Sequence, residues 1–290
     1  KMIVPFTSIV HDRIMVEVFR GCTRGCRFCQ AGIIYRPVRE KSPDTIREVA
    51  DKLLRSTGYE ELSLASLSTS DYTHLIPLVE ELMEDYKDRN ISLSLPSLRI
   101  DQFSVKLADQ IQKVRKSGLT FAPEAGTQRL RDVINKGVSE DDILRTIGQA
   151  FESGWGRIKL YFMIGLPTER LEDIEGIGDL GGKALKEYYK IDRDKRNKNI
   201  RISLSASSFV PKPFTPFQWE SQNTMEELGE KQRHLKSFIK DRKINYSWHD
   251  NKTSFLEAVF ARGDRRLGKV LLIACAKGCK FDGWKEHFNF

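Results

Sequence analysis

Residues Arg20–Gln30 read R-G-C-T-R-G-C-R-F-C-Q. Cys22, Cys26 and Cys29 stand in a C-x3-C-x2-C spacing, close enough for three thiolates on one loop to face one centre. Soft thiolates select Fe–S clusters, zinc or Cu(I). Gly21 and Gly25 allow the tight backbone that such a loop needs. Arg24 and Arg27 are expected to add positive charge that favours thiolate over thiol. Three ligands, with no fourth Cys or His nearby, point to a centre with one metal position left open for chemistry, whereas structural zinc takes a fourth protein ligand at short spacing.

The flanks place this loop. Arg13–Phe19 reads as a buried strand, with the cysteine loop leaving its carboxyl end. Downstream, helical stripes and short apolar runs alternate. Helices are expected over 42–57, 75–86, 105–116, 127–134, 140–151 and 171–189, and strands over 60–67, 91–95, 119–122, 157–164 and 200–208. Six strand–helix alternations imply a parallel sheet with right-handed crossovers. In α/β barrels the chemistry sits at the carboxyl ends of the strands. Gly176–Gly181 matches G-x-G-x-x-G but lies inside an expected helix rather than after a strand, so close helix packing or a kink is expected there, not a dinucleotide site.

A C-x3-C-x2-C motif with an aromatic residue, Phe28, just before its last cysteine resembles the signature of the radical S-adenosylmethionine (SAM) superfamily. The resemblance implies a [4Fe–4S] cluster on Cys22, Cys26 and Cys29, SAM on the open iron, and reductive cleavage of SAM to a 5′-deoxyadenosyl radical. It implies an α/β fold, an open (β/α)6 partial TIM barrel over 1–217, followed by a C-terminal α+β appendage over 218–290. It also implies an electron donor of the flavodoxin or ferredoxin type. Candidate SAM contacts are Phe28, Ser66, Ser68, Arg99, Glu124, Lys159 and Gly165. Pro123–Thr127 resembles the family's Glu-Ser-Gly stretch, and Met163–Glu169 its adenine-side stretch. The Gly-Gly-Glu stretch that many members carry after strand two is replaced by Ala65–Thr69. The alternative for Arg99, Glu124 and Lys159 is a mutual ion-pair network.

Phe209–Trp219 and the tail resemble a subgroup that often carries an N-terminal cobalamin-binding domain, together with methylthiotransferase-like relatives. The chain begins at Lys1, so an upstream cobalamin domain is expected to be missing from it. Cobalamin-assisted methyl transfer is then the expected reaction class. Modification of tRNA or a ribosomal component is the alternative, and a non-catalytic Fe–S or zinc scaffold a third. Substrate candidates are Phe209, Arg262, Asp264 and Arg265; Asp264 and the arginines could equally form a salt-bridge hinge. Cys275 and Cys279 are expected to be buried free thiols, because an auxiliary cluster would need His249 or His287 besides.

The chain has 290 residues, 40% hydrophobic and 30% charged, a globular composition. No apolar run reaches the roughly 18 residues of a membrane span. Five cysteines, three of them clustered, fit a reducing cytoplasm. The net charge of +8 permits an RNA partner without requiring one.

Overall fold

A computed structural model of the chain describes residues 2–96, 99–100, 118–281, 283–284 and 286–288. Ser97, Leu98 and the expected helix 105–116 lie outside these residues. Seven strands among the described residues pair in parallel. β1 (Ile14–Glu17), β4 (Glu61–Ala65) and β5 (Ser92–Ser94) form one sheet in the order β1-β4-β5. β6 (Leu119–Glu124), β7 (Arg157–Ile164), β8 (Arg201–Ser208) and β9 (Ile244–Trp248) form a second in sequential order. The result is an α/β fold of parallel sheet and outer helices, the open partial barrel expected, without closure.

Two findings depart from the expected elements. The single strand expected over 13–19 divides at Val18. Its last part, β2 (Phe19–Arg20), leaves the barrel sheet and pairs antiparallel with β3 (Arg39–Glu40). β9, expected in the appendage, is hydrogen-bonded to β8 from Ile202↔Ile244 to Ala206↔Trp248. Helix α7 (Met225–Phe238) makes the crossover between them, so Leu228, Leu235 and Ile244 belong to the same core as β7 and β8.

Local chemistry explains the elements. α2 (Pro43–Thr57) starts at Ser42, whose side chain accepts from the Thr45 N–H, has proline in its first turn, and stops at Gly58 with φ 72°. α5 (Glu140–Glu152) opens with a Ser139/Asp142 capping box, and α7 with a Thr224/Glu227 box. On β7 the buried residues are Ile158, Leu160, Phe162 and Ile164, one face of a period-two strand. They pack on α5 and α6 (Leu171–Lys190). Each such fully buried side chain contributes about 1.5–3 kcal/mol. The Gly176–Gly181 run lies within α6 and serves close packing. A Cβ at Gly178 would sit 2.7 Å from Phe238, and one at Gly181 3.0 Å from Leu204.

A smaller cluster of Ala125, Leu130, Ile134, Leu166, Phe209 and Phe217 caps the carboxyl ends of the strands, with Phe28 packed against it. Among the described residues no helix is long and apolar enough to cross a membrane.

Candidate active site at the carboxyl ends of the strands

The cysteine loop begins where β2 ends. Gly21 has φ 97°, and a Cβ there would lie 2.7 Å from the Tyr35 carbonyl oxygen, so only glycine fits. The loop is then held from three directions. The Arg24 guanidinium forks onto the Asp71 carboxylate (Nε–Oδ2 2.8 Å). The Arg27 N–H donates to the Ile134 carbonyl (3.0 Å), and Asn135 Nδ2 donates to the Gly25 carbonyl (2.9 Å). From the segment after β8, the Phe217 N–H donates to the Arg27 carbonyl (3.3 Å), while Gln30 donates to the Pro213 carbonyl (3.3 Å).

Cys22, Cys26 and Cys29 are free, half-buried thiols that line one cavity of about 840 Å³. Phe28, Ser68, Arg99, Glu124 and Lys136 line it with them. The volume is toward the upper end of the about 300–1,000 Å³ usual for small-molecule sites. The cavity reaches from the cysteine mouth down to Glu61, Ser92 and Thr120, near the opposite ends of their strands.

The electrostatics differ from expectation. Burial would raise the Asp71 carboxyl, but hydrogen bonds from Arg24 and Ser68 hold it below its usual range. Arg24 is therefore already matched by a carboxylate. Arg27 turns away, its guanidinium on the Asp132 and Val133 carbonyls. Burial pushes the Cys26 thiol up, and the opposing positive charges are Lys136 and Arg99. Lys136 thus takes the role expected of the two loop arginines. Sequence reasoning misses it. The available signal is Asn135-Lys136-Gly137, whose outer residues adopt φ 53° and 63° and turn the chain back toward the loop.

Lys136 pairs with Glu124 (3.1 Å), both largely shielded. Glu124 sits at φ 70°, where β6 shifts register against β7. A non-glycine residue there is held by its surroundings. The main support is Arg131, fully buried, whose guanidinium donates to the Ala125 (3.0 Å), Gly126 (3.3 Å) and Val138 (3.2 Å) carbonyls. It ties the end of β6 to the turn that carries Lys136.

The network expected among Arg99, Glu124 and Lys159 is divided. Glu124 binds Lys136, Lys159 Nζ donates to the Tyr161 hydroxyl (2.9 Å), and the Arg99 N–H donates to Ser70 Oγ (2.9 Å). Of the other SAM candidates, Ser66 shapes the turn after β4 through Thr69 (3.0 Å) and the Ser68 N–H (3.2 Å). Gly165, at φ 81°, donates its N–H to the buried Glu169 carboxylate (2.8 Å). Burial pushes that carboxyl up against the opposing pull of Lys231 (2.7 Å) on α7. Neither Ser66 nor Gly165 lines the cavity.

The substrate candidates also lie elsewhere. Phe209 is fully buried, edge-on to Phe217 (5.9 Å), beneath the cysteine loop. Arg262 donates to the Glu220 carbonyl (3.0 Å), and Asp264 binds Arg266 (2.9 Å). With Arg265 they form the junction between α8 (Asn251–Arg262) and α9 (Leu267–Ala276), away from the cavity walls. Cys275, expected buried, is exposed, because α9 buries none of its residues, and Cys279 is only partly covered.

A four-iron cluster fits this loop better than a single ion does. Among the described residues, no group of three His, Cys, Asp or Glu side chains converges as ligands of one metal ion would. The three cysteines border a volume instead. A cluster takes each thiolate on a separate iron and so needs them spread. Asp71→Asn should lower the iron retained after reconstitution about tenfold, within the about 10–100-fold typical of groups that orient metal ligands. Unchanged iron content would show that the loop keeps its shape without Arg24–Asp71.

Comparison with known proteins follows the same line. A protein of Methanocaldococcus jannaschii without assigned function is 33% identical over 258 residues, 89% of this chain and 53% of that protein. The chain thus spans about half the length of this relative. The fold is similar to TsrM from Kitasatospora setae, a radical SAM methyltransferase solved with cobalamin and a [4Fe–4S] cluster (TM-score 0.55, 15% identity, 74% of this chain and 39% of that one). It is also similar to OxsB, a cobalamin-dependent SAM radical enzyme (TM-score 0.53, 13% identity, 92% of this chain and 45% of that one). At these identities the likeness is one of fold. The model of the radical SAM superfamily matches residues 16–181, more than half of the chain and the whole of the cysteine loop. The chain belongs to the radical SAM superfamily, enzymes that use a [4Fe–4S] cluster and SAM.

Proposed function

We propose that the cavity is the place where SAM is cleaved and used. Cys22, Cys26 and Cys29 hold the cluster, Phe28, Ser68, Arg99, Glu124 and Lys136 surround SAM, and the lower cavity takes the substrate. The observation that carries this reading is the single continuous cavity joining the three cysteines to these strand ends. When bound, the cluster supplies an electron from an external flavodoxin- or ferredoxin-type donor, and SAM supplies the hydrogen-abstracting group. The chain's own residues hold and orient. Lys136 and Arg99 favour the Cys26 thiolate, and the Phe28–Phe209–Phe217 layer keeps water from one side of the loop. Cobalamin-assisted methyl transfer, with cobalamin on a part of the protein outside this chain, is the proposed reaction class, supported by the fold shared with TsrM and OxsB. A reducing cytoplasm suits the three unpaired loop thiols.

Anaerobic reconstitution with iron, sulfide, dithionite and SAM tests the reading. Visible cluster absorbance and 5′-deoxyadenosine are expected, and the absence of both sinks it. Methyl donation leaves S-adenosylhomocysteine, so turnover without that product would remove the methyl-transfer part. Modification of tRNA is the second reading, favoured by the net charge of +8 and by a basic cluster in which Arg196 and Lys243 lie over Tyr189 (5.3 and 4.9 Å). It requires RNA binding that weakens steeply with salt.

A further inference from the structure

The inward face of the second sheet is polar. On β7 the residues opposite the buried row are Arg157, Lys159, Tyr161 and Met163, and on β8 they are Ser203, Ser205 and Ser207. Tyr161 lines the cavity, and Lys159 donates to its hydroxyl (2.9 Å). Register puts Thr120 of β6 and Ser203 of β8 beside Lys159, with Ser205 beside Tyr161. Lys159 is thus half-buried among hydroxyl groups.

The other charges near this cavity are matched. Arg24 has Asp71, Lys136 has Glu124, and Glu61 at the floor has Arg13 (3.1 Å). Among the described residues, no carboxylate pairs with Lys159. An ammonium in a concave, partly desolvated site without a counter-ion attracts an anion from solution. Its depth fits a substrate rather than SAM at the mouth. Glu124 marks the mouth and is paired with Phe162, three residues above Lys159 on β7, or about 10 Å at roughly 3.3 Å per residue.

We infer that the cavity floor is an anion subsite, in which Lys159 Nζ and the Tyr161 hydroxyl hold a carboxylate or phosphate group of the substrate while the reacting carbon points up toward the mouth. This inference rests on the proposed function of the same cavity. The substrate class is a small organic acid or phosphate monoester. Lysine suits either as a point charge, and a tyrosine hydroxyl donates equally to both kinds of oxyanion.

The test is anaerobic equilibrium dialysis of the reconstituted chain against radiolabelled acetate, glutarate and inorganic phosphate, each alone. The wild type should retain at least one of them. Lys159→Gln should weaken that binding at least tenfold, Tyr161→Phe severalfold, and Lys159→Arg least, with unchanged far-ultraviolet circular dichroism reporting that each variant is folded. Whichever probe is retained separates carboxylate from phosphate. Retention of none by the wild type, equal retention by Lys159→Gln, or an equal loss in the surface variant Lys186→Gln would each overturn the inference. Deoxyadenosine formation by the wild type in the same preparation tests the underlying reading separately. Its presence without Lys159-dependent binding defeats the subsite alone.

Discussion

Alanine at Cys22, Cys26 or Cys29, one at a time, is expected to abolish cluster absorbance and to lower deoxyadenosine formation by well over 100-fold. Outer groups that merely orient metal ligands already cost about 10–100-fold, and each cysteine is a direct ligand in this reading. The fold should survive. All three side chains are small and half-buried, and the loop is fixed by contacts that do not use sulfur: Arg24 to Asp71, Asn135 to Gly25 and Phe217 to Arg27. Stability of the iron-free protein should therefore change by less than about 1 kcal/mol. Cys275→Ala and Cys279→Ala are the matched controls, since neither residue lines the cavity, and both should reconstitute like the wild type. A loop variant that keeps full iron content and turnover would refute the ligand assignment. Equal losses from the control variants would implicate general thiol damage instead.

The second large effect is on stability. Gly126→Ala should destabilise the chain by about 3 kcal/mol or more, the top of the usual range for overpacking. A Cβ at Gly126 would lie 2.3 Å from the Ile177 nitrogen, 2.5 Å from the Asp173 carbonyl oxygen and 2.6 Å from the Gly176 carbonyl carbon. All three are backbone atoms of α6, so relief requires moving the helix or the end of β6. At roughly 2–4 °C per kcal/mol for a chain of this size, the melting temperature should fall by about 6–12 °C. Gly182→Ala on the same helix is the contrast, because nothing lies within 4 Å of the added atom. It should stabilise by about 0.5–1 kcal/mol. Thermal melts of the iron-free proteins compare the two, and a Gly126→Ala melt equal to wild type would contradict the close approach of loop and helix. Gly126 directly follows the Glu124–Ala125 segment gripped by Arg131, so the same variant should also disturb the Lys136–Glu124 pair at the mouth.

Much of this site is legible in the order of its residues. The cysteine spacing and the Ser-Pro-Asp start of α2 are local signals and survive unchanged. β7 is legible over Arg157–Ile164 because its alternation is strict and Gly165-Leu166-Pro167 closes it. The G-x-G-x-x-G match reads correctly as packing, since its place inside α6 settles its role. Partnership is what residue order does not carry. Arg24 and Arg27 stand beside the cysteines in sequence, yet their charges go to Asp71 and to carbonyls, while Lys136, over a hundred residues away, comes to Cys26 through a turn and a buried arginine. Phe209, in an aromatic and proline-rich stretch, reads equally well as a cavity wall or as a pin, and only packing separates the two. β9 has the right alternation, but no periodicity states which strand it will join.

That last pairing bears on how the barrel can be cut. Ending the chain after Phe217 would make β8 the outermost strand, and five of its residues, Ile202–Ala206, would lose their neighbours Ile244–Trp248. The uncovered row of amide and carbonyl groups would be flat, regular and flanked by Leu204 and Ala206 deprived of part of their cover. Such a row is a template for pairing with another molecule. A fragment bearing every residue assigned to the cluster and SAM would thus tend to self-associate, and the smallest fragment with a covered β8 border runs through Trp248.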